Sequence, residues 1–313
     1  MVESLGFEPE GSGEHVFLYL EKSGENTEFV SRVLARFAGV RQRDIGYAGL
    51  KDRHAVARQW FSVWLPGKDG PDWAGLEELA QVKVLQVARH ARKLKRGVLR
   101  GNHFQITLRD WSGDNAIAVG QLELLARQGF PNYFAEQRFG HDGGNIRQAL
   151  AVFAGKKVKP EQRSIYLSAA RGFLFNQVLA ARVLDGSWLT GLPGEVFNLQ
   201  GGHSLFQAGE IDEVLRGRIA AGDIHPTGLL YGAGAKPNVV EQAVLADEPA
   251  LTDGLERAGL EADRRALRVL PLDLRWRFGE QELMLEFSLP AGAYATALLR
   301  EVASCAAGAD QGE

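Results

Sequence analysis

Asp52 is the one carboxylate in the segment GYAGLKDRHAVARQ, residues 46–59, which the surrounding hydrophobic pattern predicts to be buried. The cationic side chains of this segment are Lys51, Arg53, His54 and Arg58. Nearby positive charges stabilise an ionised carboxylate and lower its pKa by about 1–3 units. An ionised, partly desolvated aspartate can act as a nucleophile. The alternative is a structural turn, in which the carboxylate accepts hydrogen bonds from backbone N–H groups.

A stretch without Asp or Glu runs from Leu79 to Arg109 and carries eight Lys and Arg residues, although the net charge of the whole chain is −3. Such a block is typical of a surface that contacts phosphate groups. The alternative is a solvated hairpin tip whose lysines prevent edge pairing. We favour RNA contact, because the block leads directly into the segment GNHF. The residues expected to face an RNA backbone are Arg89, Arg92, Lys93, Lys95, Arg96 and Arg100.

Five motifs follow one another along almost the whole chain. They are GLKDRHAVARQW at 49–60, RGNHF at 100–104, PNYFAEQRFG at 131–140, RGFLFNQ at 171–177 and LPAGAYATALLRE at 289–301. With these motifs in this order, the sequence resembles the TruD family of tRNA pseudouridine synthases, bacterial type. The resemblance implies an isomerase that converts uridine 13 of tRNA to pseudouridine without a cofactor.

The resemblance also implies roles for single residues. The Asp of the family's KD pair is its catalytic aspartate, which corresponds to Asp52, and the preceding Lys51 is expected to bind substrate. The family's GNxF motif supplies an active-site Asn and an aromatic ring, here Asn102 and Phe104. From the residues alone, Asn102 could instead cap a strand. Phe104 alternates with polar neighbours in a way that is typical of a core position.

Further substrate contacts are expected from Gln137, Arg138 and Tyr294, with an RNA-facing or an architectural role equally open for the first two. The reaction breaks the N1–C1′ bond of uridine and joins C5 of the rotated uracil to C1′. Asp52 could attack C1′ or assist loss of the C2′ proton, and the sequence does not decide between these routes. Retaining glycosidases use two carboxylates for related chemistry, but here the base stays bound.

One feature of the family is not found in this sequence. TruD enzymes carry a basic residue, usually Lys, on a strand that precedes the segment matching VESLGFEPEGSGEH, and the chain begins after that position. We expect a truncated or misassigned start, with Lys22 or Lys51 as the substitute cation in the other case. The missing Lys also leaves open an alternative function, a non-catalytic tRNA-binding protein or RNA chaperone on the same fold.

Strand and helix patterns predict an α+β fold with a mixed or antiparallel sheet. Strand-like runs lie at 15–22, 59–65, 82–89, 102–109, 267–278 and 282–289. Helical spacing recurs at 29–37, 114–128, 145–154, 161–184, 210–221 and 293–304, and Gly/Pro-rich connections at 191–194, 200–202 and 226–237. The resemblance implies a pseudouridine synthase core at 1–129 and 273–313, interrupted by a helix-rich α/β insertion domain at 130–272.

Several other classes of protein are not indicated. No apolar run reaches the ~18 residues of a membrane-spanning helix, and the single cysteine, Cys305, excludes a disulfide framework. The sequence lacks HExxH and CxxC, so no catalytic zinc is expected. The Gly-rich segment 228–237 lacks the GK[ST] ending of a phosphate-binding loop. We therefore expect a cytoplasmic protein whose partner is tRNA, with no metal, no membrane contact and no obligate protein partner.

Overall fold

The structure is a computed structural model, and it describes residues 1–95 and 97–304. The strands are β1 (Val2–Leu5), β2 (His15–Lys22), β3 (Ile45–Tyr47), β4 (Ala57–Trp64), β5 (Val82–His90), β6 (Leu99–Arg109), β7 (Phe130–Pro131), β8 (Val196–Leu199), β9 (Leu205–Gln207), β10 (Ile224–Leu230), β11 (Asp263–Ala266), β12 (Arg268–Val269), β13 (Leu272–Phe278) and β14 (Glu282–Pro290). The helices are α1 (Thr27–Phe37), α2 (Asn115–Gln128), α3 (Gly144–Phe153), α4 (Pro160–Leu184), α5 (Ser187–Thr190), α6 (Glu213–Ala220), α7 (Val239–Ala246), α8 (Pro249–Arg257) and α9 (Ala295–Arg300).

Contacts divide the chain into two compact units. Unit 1 consists of Met1–Trp111 and Asp273–Ala291, and unit 2 consists of Ser112–Leu272 with the described residues from Gly292 onward. Helices α2 and α9 are therefore grouped with the helix-rich unit 2, although the sequence assigned them to the core. The predicted boundaries at 129/130 and 272/273 concern the family's domains rather than compactness, and they stay a prediction.

Unit 1 is built on one mixed sheet. Its strand order is β13-β14-β6-β1-β4-β2-β5, and β3 pairs with β4 beside this path. Strand β1 lies at the centre, parallel to β4 and antiparallel to β6. The predicted α+β class with a mixed sheet is confirmed. The four residues of β1 carry too short a pattern to be recognised as a strand from sequence, so the central strand was missed.

Helix α1 covers one face of this sheet. Its cap is Asn26, whose side chain accepts a hydrogen bond from the N–H of Phe29. Val30 and Leu34 face the sheet and are buried with Leu18 and Phe61. Because Asn26 caps the helix, Thr27 lies in its first turn, and its buried hydroxyl is available for contacts with other elements.

Unit 2 is organised around α4, which has 25 residues. The helix packs on α3, α7, α8 and β10, and it contributes Leu167, Ala170 and Leu174 to a shared core. Strand β10 belongs to an antiparallel sheet with the order β11-β10-β8-β9.

The prediction that 226–237 forms a Gly/Pro-rich connection is wrong at its start, since β10 runs to Leu230. Pro226 lies opposite Phe197 in an interior strand, and its carbonyl accepts a hydrogen bond from the N–H of Leu267 at 2.8 Å. A Cβ on Gly228 would lie 2.8 Å from Leu267 and 2.9 Å from Phe175. Pro and Gly usually indicate the absence of a central strand. Here a close approach of neighbouring side chains requires the glycine, which no local pattern can reveal.

A buried histidine stabilises the same strand. His225 is 2% exposed. Its Nδ1 accepts a hydrogen bond from Nε of Arg268 at 2.9 Å, and its Nε2 lies 2.6 Å from Oε1 of Gln200. Burial, with a smaller contribution from the charge of Arg268, lowers the pKa of His225 from 6.5 to about 4. The folded protein therefore contains the neutral imidazole over the physiological pH range.

We predict that this histidine contributes to acid sensitivity. Because its folded pKa lies below its unfolded value, its contribution to stability is complete above pH 6.5 and is lost as the pH falls to 4. The loss amounts to about 3 kcal/mol. Chemical unfolding from pH 7 to pH 4 should show a shallower decline for His225→Gln than for the wild type. His203→Gln, at an exposed position, is the control, and parallel pH curves for all three proteins would contradict the prediction.

Candidate active site

Asp52 lies on the loop between β3 and β4, and its side chain is exposed. Burial of the whole segment was predicted wrongly: Lys51 is buried, whereas Asp52 and His54 are exposed. The carboxylate Oδ1 of Asp52 accepts a hydrogen bond from the N–H of His54 at 3.1 Å, the contact expected of a structural turn. In residues 1–95 and 97–304, Oδ2 has no hydrogen-bond partner. One oxygen thus orients the carboxylate and the other remains available to a substrate.

The backbone that carries Asp52 is held by buried side chains from two other elements. Nε2 of Gln59 donates to the carbonyl of Gly49 at 2.6 Å. The hydroxyl of Thr27 accepts the N–H of Lys51 at 2.9 Å and donates to Oε1 of Gln59 at 3.0 Å. These contacts tie the loop to α1 and β4, so that an exposed carboxylate lies on a fixed backbone.

Lys22, at the end of β2, completes this support. Its Nζ donates to the carbonyl of Asp52 at 2.8 Å and to the carbonyl of Glu25 at 2.6 Å. The residue is 1% exposed, and burial lowers its pKa, while the charge of Asp52 opposes this shift. Within the part of the chain that the structure describes, no carboxylate lies within 4 Å of its ammonium group. Lys22 therefore places a positive charge behind the Asp52 loop.

The other cations of the segment face elsewhere. Arg58 forms an ion pair with Glu21 at 2.8 Å, and Nε of Arg53 donates to the carbonyl of Gly24 at 2.9 Å. Because Arg53 and Arg58 bind groups other than the Asp52 carboxylate, the predicted cluster of cations around Asp52 is wrong. The cation that supports the loop comes from β2.

Lys51 lies in a buried polar network in the middle of the sheet. Its Nζ is 3.0 Å from Oε1 of Glu3 and donates to Oδ1 of Asn102 at 2.7 Å. Glu3 and Asn102 face each other in the register of β1 and β6, and Oε2 of Glu3 also accepts the N–H of Trp60 at 2.8 Å. Burial raises the pKa of Glu3, and the charge of Lys51 opposes that shift. The network joins the KD pair to the GNHF motif.

The GNHF motif is shaped by its pairing with β14. A Cβ on Gly101 would lie 2.4 Å from the carbonyl oxygen of Leu289, so only glycine fits. Phe104 faces Phe287 across the strands, and the two rings are stacked with centroids 5.4 Å apart. Phe104 is half-buried. Its ring is thus both part of the sheet face and partly accessible.

A second cluster of motif residues lies within unit 2. Asn176 and Phe134 exchange two hydrogen bonds of 2.9 Å between the side-chain amide and the backbone. Arg138 donates to the hydroxyl of Tyr294 at 2.9 Å and packs over the Phe134 ring. Arg265, which sequence reasoning missed, also packs on that ring, with its guanidinium carbon 4.2 Å from the centroid. The predicted Arg138 and Tyr294 are brought together, whereas Gln137 is an exposed residue of the same motif.

The basic block divides into two groups. Arg89 donates to the carbonyls of Leu65 and Lys68, and Lys93 donates to the carbonyl of Arg43, so these two side chains brace loops. The side chains exposed to solvent are those of Arg92, Lys95 and Arg100. Arg96 lies outside the described residues. The exposed group is the one that can contact an RNA backbone.

The supporting residues Glu3, Thr27 and Gln59 were not predicted as site residues, and Lys22 was named only as a substitute for the missing family lysine. Only Lys22 had a signal, because the period of two in β2 puts it on the same face as the buried Leu18 and Leu20. A lysine at a core-facing position needs polar partners.

Among the described residues, no group of three or more His, Cys, Asp or Glu side chains could hold a metal ion.

We predict that the Lys51 network is a major source of stability in unit 1. Lys51→Met would leave the Glu3 carboxylate buried without its partner, which should lower the free energy of unfolding by about 3–5 kcal/mol. The double variant Glu3→Gln with Lys51→Met should recover part of this loss in urea unfolding. Lys95→Met, at an exposed position, is the control. Glu3→Gln alone completes the set. If the losses of stability of the two single variants added up to that of the double variant, Glu3 and Lys51 would not stabilise each other, and the prediction would be contradicted.

Comparison with known proteins agrees with the motifs. A family model described as tRNA pseudouridine synthase D (TruD) matches residues 2–149 and 141–302. A tRNA pseudouridine synthase D from Nitrosococcus oceani is 49% identical over 311 residues, covering 96% of this chain and 87% of the relative. The same enzyme from Methylococcus capsulatus is 48% identical over 308 residues, with the same two coverages.

The fold is also found in a solved structure. A crystal structure of a putative tRNA pseudouridine synthase D (TruD) from Methanosarcina mazei matches with a TM-score of 0.69 and 21% identity, covering 96% of this chain and 90% of that chain. At this level of identity the likeness shows the fold alone. The family model and the sequence relatives together cover nearly the whole chain, including the Asp52 loop and the GNHF strand. The chain belongs to the TruD family of tRNA pseudouridine synthases.

Proposed function

We propose that this protein isomerises a uridine of tRNA to pseudouridine and that Asp52 is its catalytic aspartate. The observation that carries the proposal is the Asp52 loop, an exposed carboxylate on a backbone held by Lys22, Thr27 and Gln59. Such preorganisation limits the loss of conformational freedom on the way to the transition state. The name that the relatives share, tRNA pseudouridine synthase D, supports the same reaction.

The reaction requires few functional groups from the protein. The N1–C1′ bond breaks, uracil turns while bound, and C5 bonds to C1′, with no redox change and no net hydrolysis. Attack on C1′ and removal of the C2′ proton both require a carboxylate oxygen at the ribose, and Oδ2 of Asp52 is available for either. The ammonium group of Lys22 lies behind the loop and donates to the carbonyl of Asp52.

Substrate binding is assigned to several of the other predicted residues. The half-buried ring of Phe104 offers a surface for base stacking, which contributes about 1–3 kcal/mol. The target base must leave its stack at a cost of a few kcal/mol. Contacts of Arg92, Lys95 and Arg100 with phosphates would offset that cost. Arg138 and Tyr294 are further candidates for contacts with substrate.

Position 13 of tRNA is the expected target, and a tRNA substrate supports the expected cytoplasmic location. The structure describes no helix that is long and apolar enough to cross a membrane. A non-catalytic tRNA-binding protein was the alternative function, and the names of the relatives give it no support.

We predict that Asp52→Asn abolishes pseudouridine formation, because the amide can neither attack C1′ nor accept a proton. Affinity for tRNA should change little, since the side chain is exposed and makes one local hydrogen bond. Tritium release from 5-tritiated uridine in unmodified tRNA measures the reaction, and filter binding measures affinity. Asp69→Asn, at an exposed position in another loop, is the control. Wild-type turnover by Asp52→Asn would overturn the assignment.

We also predict that the exposed residues of the basic block contact tRNA phosphates. Replacing Arg92 and Lys95 by Gln should weaken tRNA binding, and the slope of log affinity against log salt should fall by about 0.7–0.9 for each phosphate group that is no longer neutralised. Selectivity among tRNAs should remain the same, because phosphate contacts carry no direct sequence information. Arg32→Gln with Arg36→Gln removes the same charge from exposed positions on α1. If both double variants had the wild-type salt slope, the block would not face RNA.

A further inference from the structure

The orientation of the Asn102 amide is determined by its contact with Lys51. The ammonium group of lysine can only donate hydrogen bonds, so the atom that faces it at 2.7 Å is the amide oxygen Oδ1. Glu3, whose side chain is fully buried, holds the ammonium from the other side at 3.0 Å. Reversal of the amide would place an NH2 group against the Lys51 ammonium, which the buried site disfavours.

This orientation leaves Asn102 with donors only. Among residues 1–95 and 97–304, the Asn102 side chain makes no hydrogen bond other than the one from Lys51. The residue is half-exposed, two positions before Phe104 on β6, and the chain neighbour of its partner Lys51 is Asp52. The partly exposed side chain of Asn102 therefore presents its two N–H groups, rather than its oxygen, to any ligand that contacts it.

We propose that Asn102 recognises the target base by donating a hydrogen bond from Nδ2 to a carbonyl oxygen of uracil, with Lys51 and Glu3 as positioning residues that hold the amide in this orientation. The inference rests on the proposed function and adds the group of the substrate that is recognised. The N3–H group of uracil would then not be bound by Asn102, because it needs an acceptor.

The chemistry of the reaction suits a donor at this position. The electron pair of the N1–C1′ bond leaves with uracil, and the negative charge is shared by O2 and O4, where a hydrogen-bond donor stabilises it. A half turn of the ring about the N3–C6 axis exchanges N1 with C5 and the O2 carbonyl with the O4 carbonyl. The C5–C1′ bond then forms, the C5 proton is lost and N1 gains a proton. The same donor can therefore contact one carbonyl before the turn and the other carbonyl after it.

Two substitutions at Asn102 test the direction of the hydrogen bond. Single-turnover pseudouridylation should be about tenfold slower for Asn102→Ala, as expected for removal of one hydrogen bond. Asn102→Asp keeps two acceptors but has no donor, so its rate should be no higher than that of Asn102→Ala. A clearly faster Asp variant would show that residue 102 acts as an acceptor and would overturn the proposal. Thermal unfolding of each variant measures any effect on the fold.

Substrates with sulfur in place of oxygen test the contact itself, because sulfur is a weaker acceptor. Two substituted tRNAs carry 4-thiouridine or 2-thiouridine at the target position. Wild-type enzyme should convert at least one of them several-fold more slowly than tRNA with uridine, and this reduction in rate is the thio penalty. In Asn102→Ala this penalty should disappear, and in Lys51→Met it should shrink because the amide is no longer held. Asn198→Ala, on β8 of unit 2, should keep the full penalty.

Wild-type enzyme without any thio penalty, or an equal penalty in Asn102→Ala, would overturn the inference. Both outcomes are read from an enzyme that converts ordinary tRNA. Failure of the wild type on ordinary tRNA, or full activity of Asp52→Asn, would instead refute the proposed function.

Discussion

The buried ammonium group of Lys51 is the interaction on which the site depends. It connects Glu3 on the central strand β1 with Asn102 on β6, and it precedes Asp52 in the chain. Burying two charges costs several kcal/mol for each, and only close pairing with further hydrogen bonds offsets this cost. The N–H of Trp60 supplies one such bond to Glu3. One buried network therefore holds together three segments that are distant in sequence, and displacement of any of them disrupts it.

Asp52 combines an exposed carboxylate with an immobilised backbone. Lys22, Thr27 and Gln59 bind the loop through backbone groups rather than through the carboxylate. Rigid support from buried side chains holds a reactive group in position while its own atoms stay accessible. The Lys22 ammonium donates to two carbonyl oxygens and adds a positive charge. The expected cluster of cations from the same segment is thus replaced by a supported aspartate with one cation, from β2, behind its backbone.

Unit 2 brings its own motifs together around the ring of Phe134. The amide of Asn176 binds both the N–H and the carbonyl of this residue, and the guanidinium groups of Arg138 and Arg265 pack on the ring. Burial lowers the pKa of Arg265 to about 10, which the nearby Arg138 reinforces and Tyr294 opposes. Neither arginine has a carboxylate within ion-pair distance in the described residues. Positive charge at this cluster is therefore stabilised by carbonyls, hydroxyls and aromatic rings.

The sequence by itself determined the family, the α+β class and the strands and helices with long periodic patterns. Strand β2 matches its prediction residue for residue, and α4 differs by one residue at its start. Asp52, Asn102 and Phe104 were identified through their motifs, although their roles stay predictions. Local patterns could determine this much because side-chain periodicity and motif spacing are properties of neighbouring residues.

Only the tertiary structure decided which residues support the site. Strand β1 is too short for a pattern, and β10 contains Pro226 and Gly228, which argue against a strand until the close packing around them is seen. Glu3 and Lys51 are far apart in the chain, and their pairing depends on the parallel contact of β1 with β4. Arg58, in the same segment as Asp52, pairs instead with Glu21. Partners of a buried charge are selected by strand order and register, and these arise from the packing of the whole sheet.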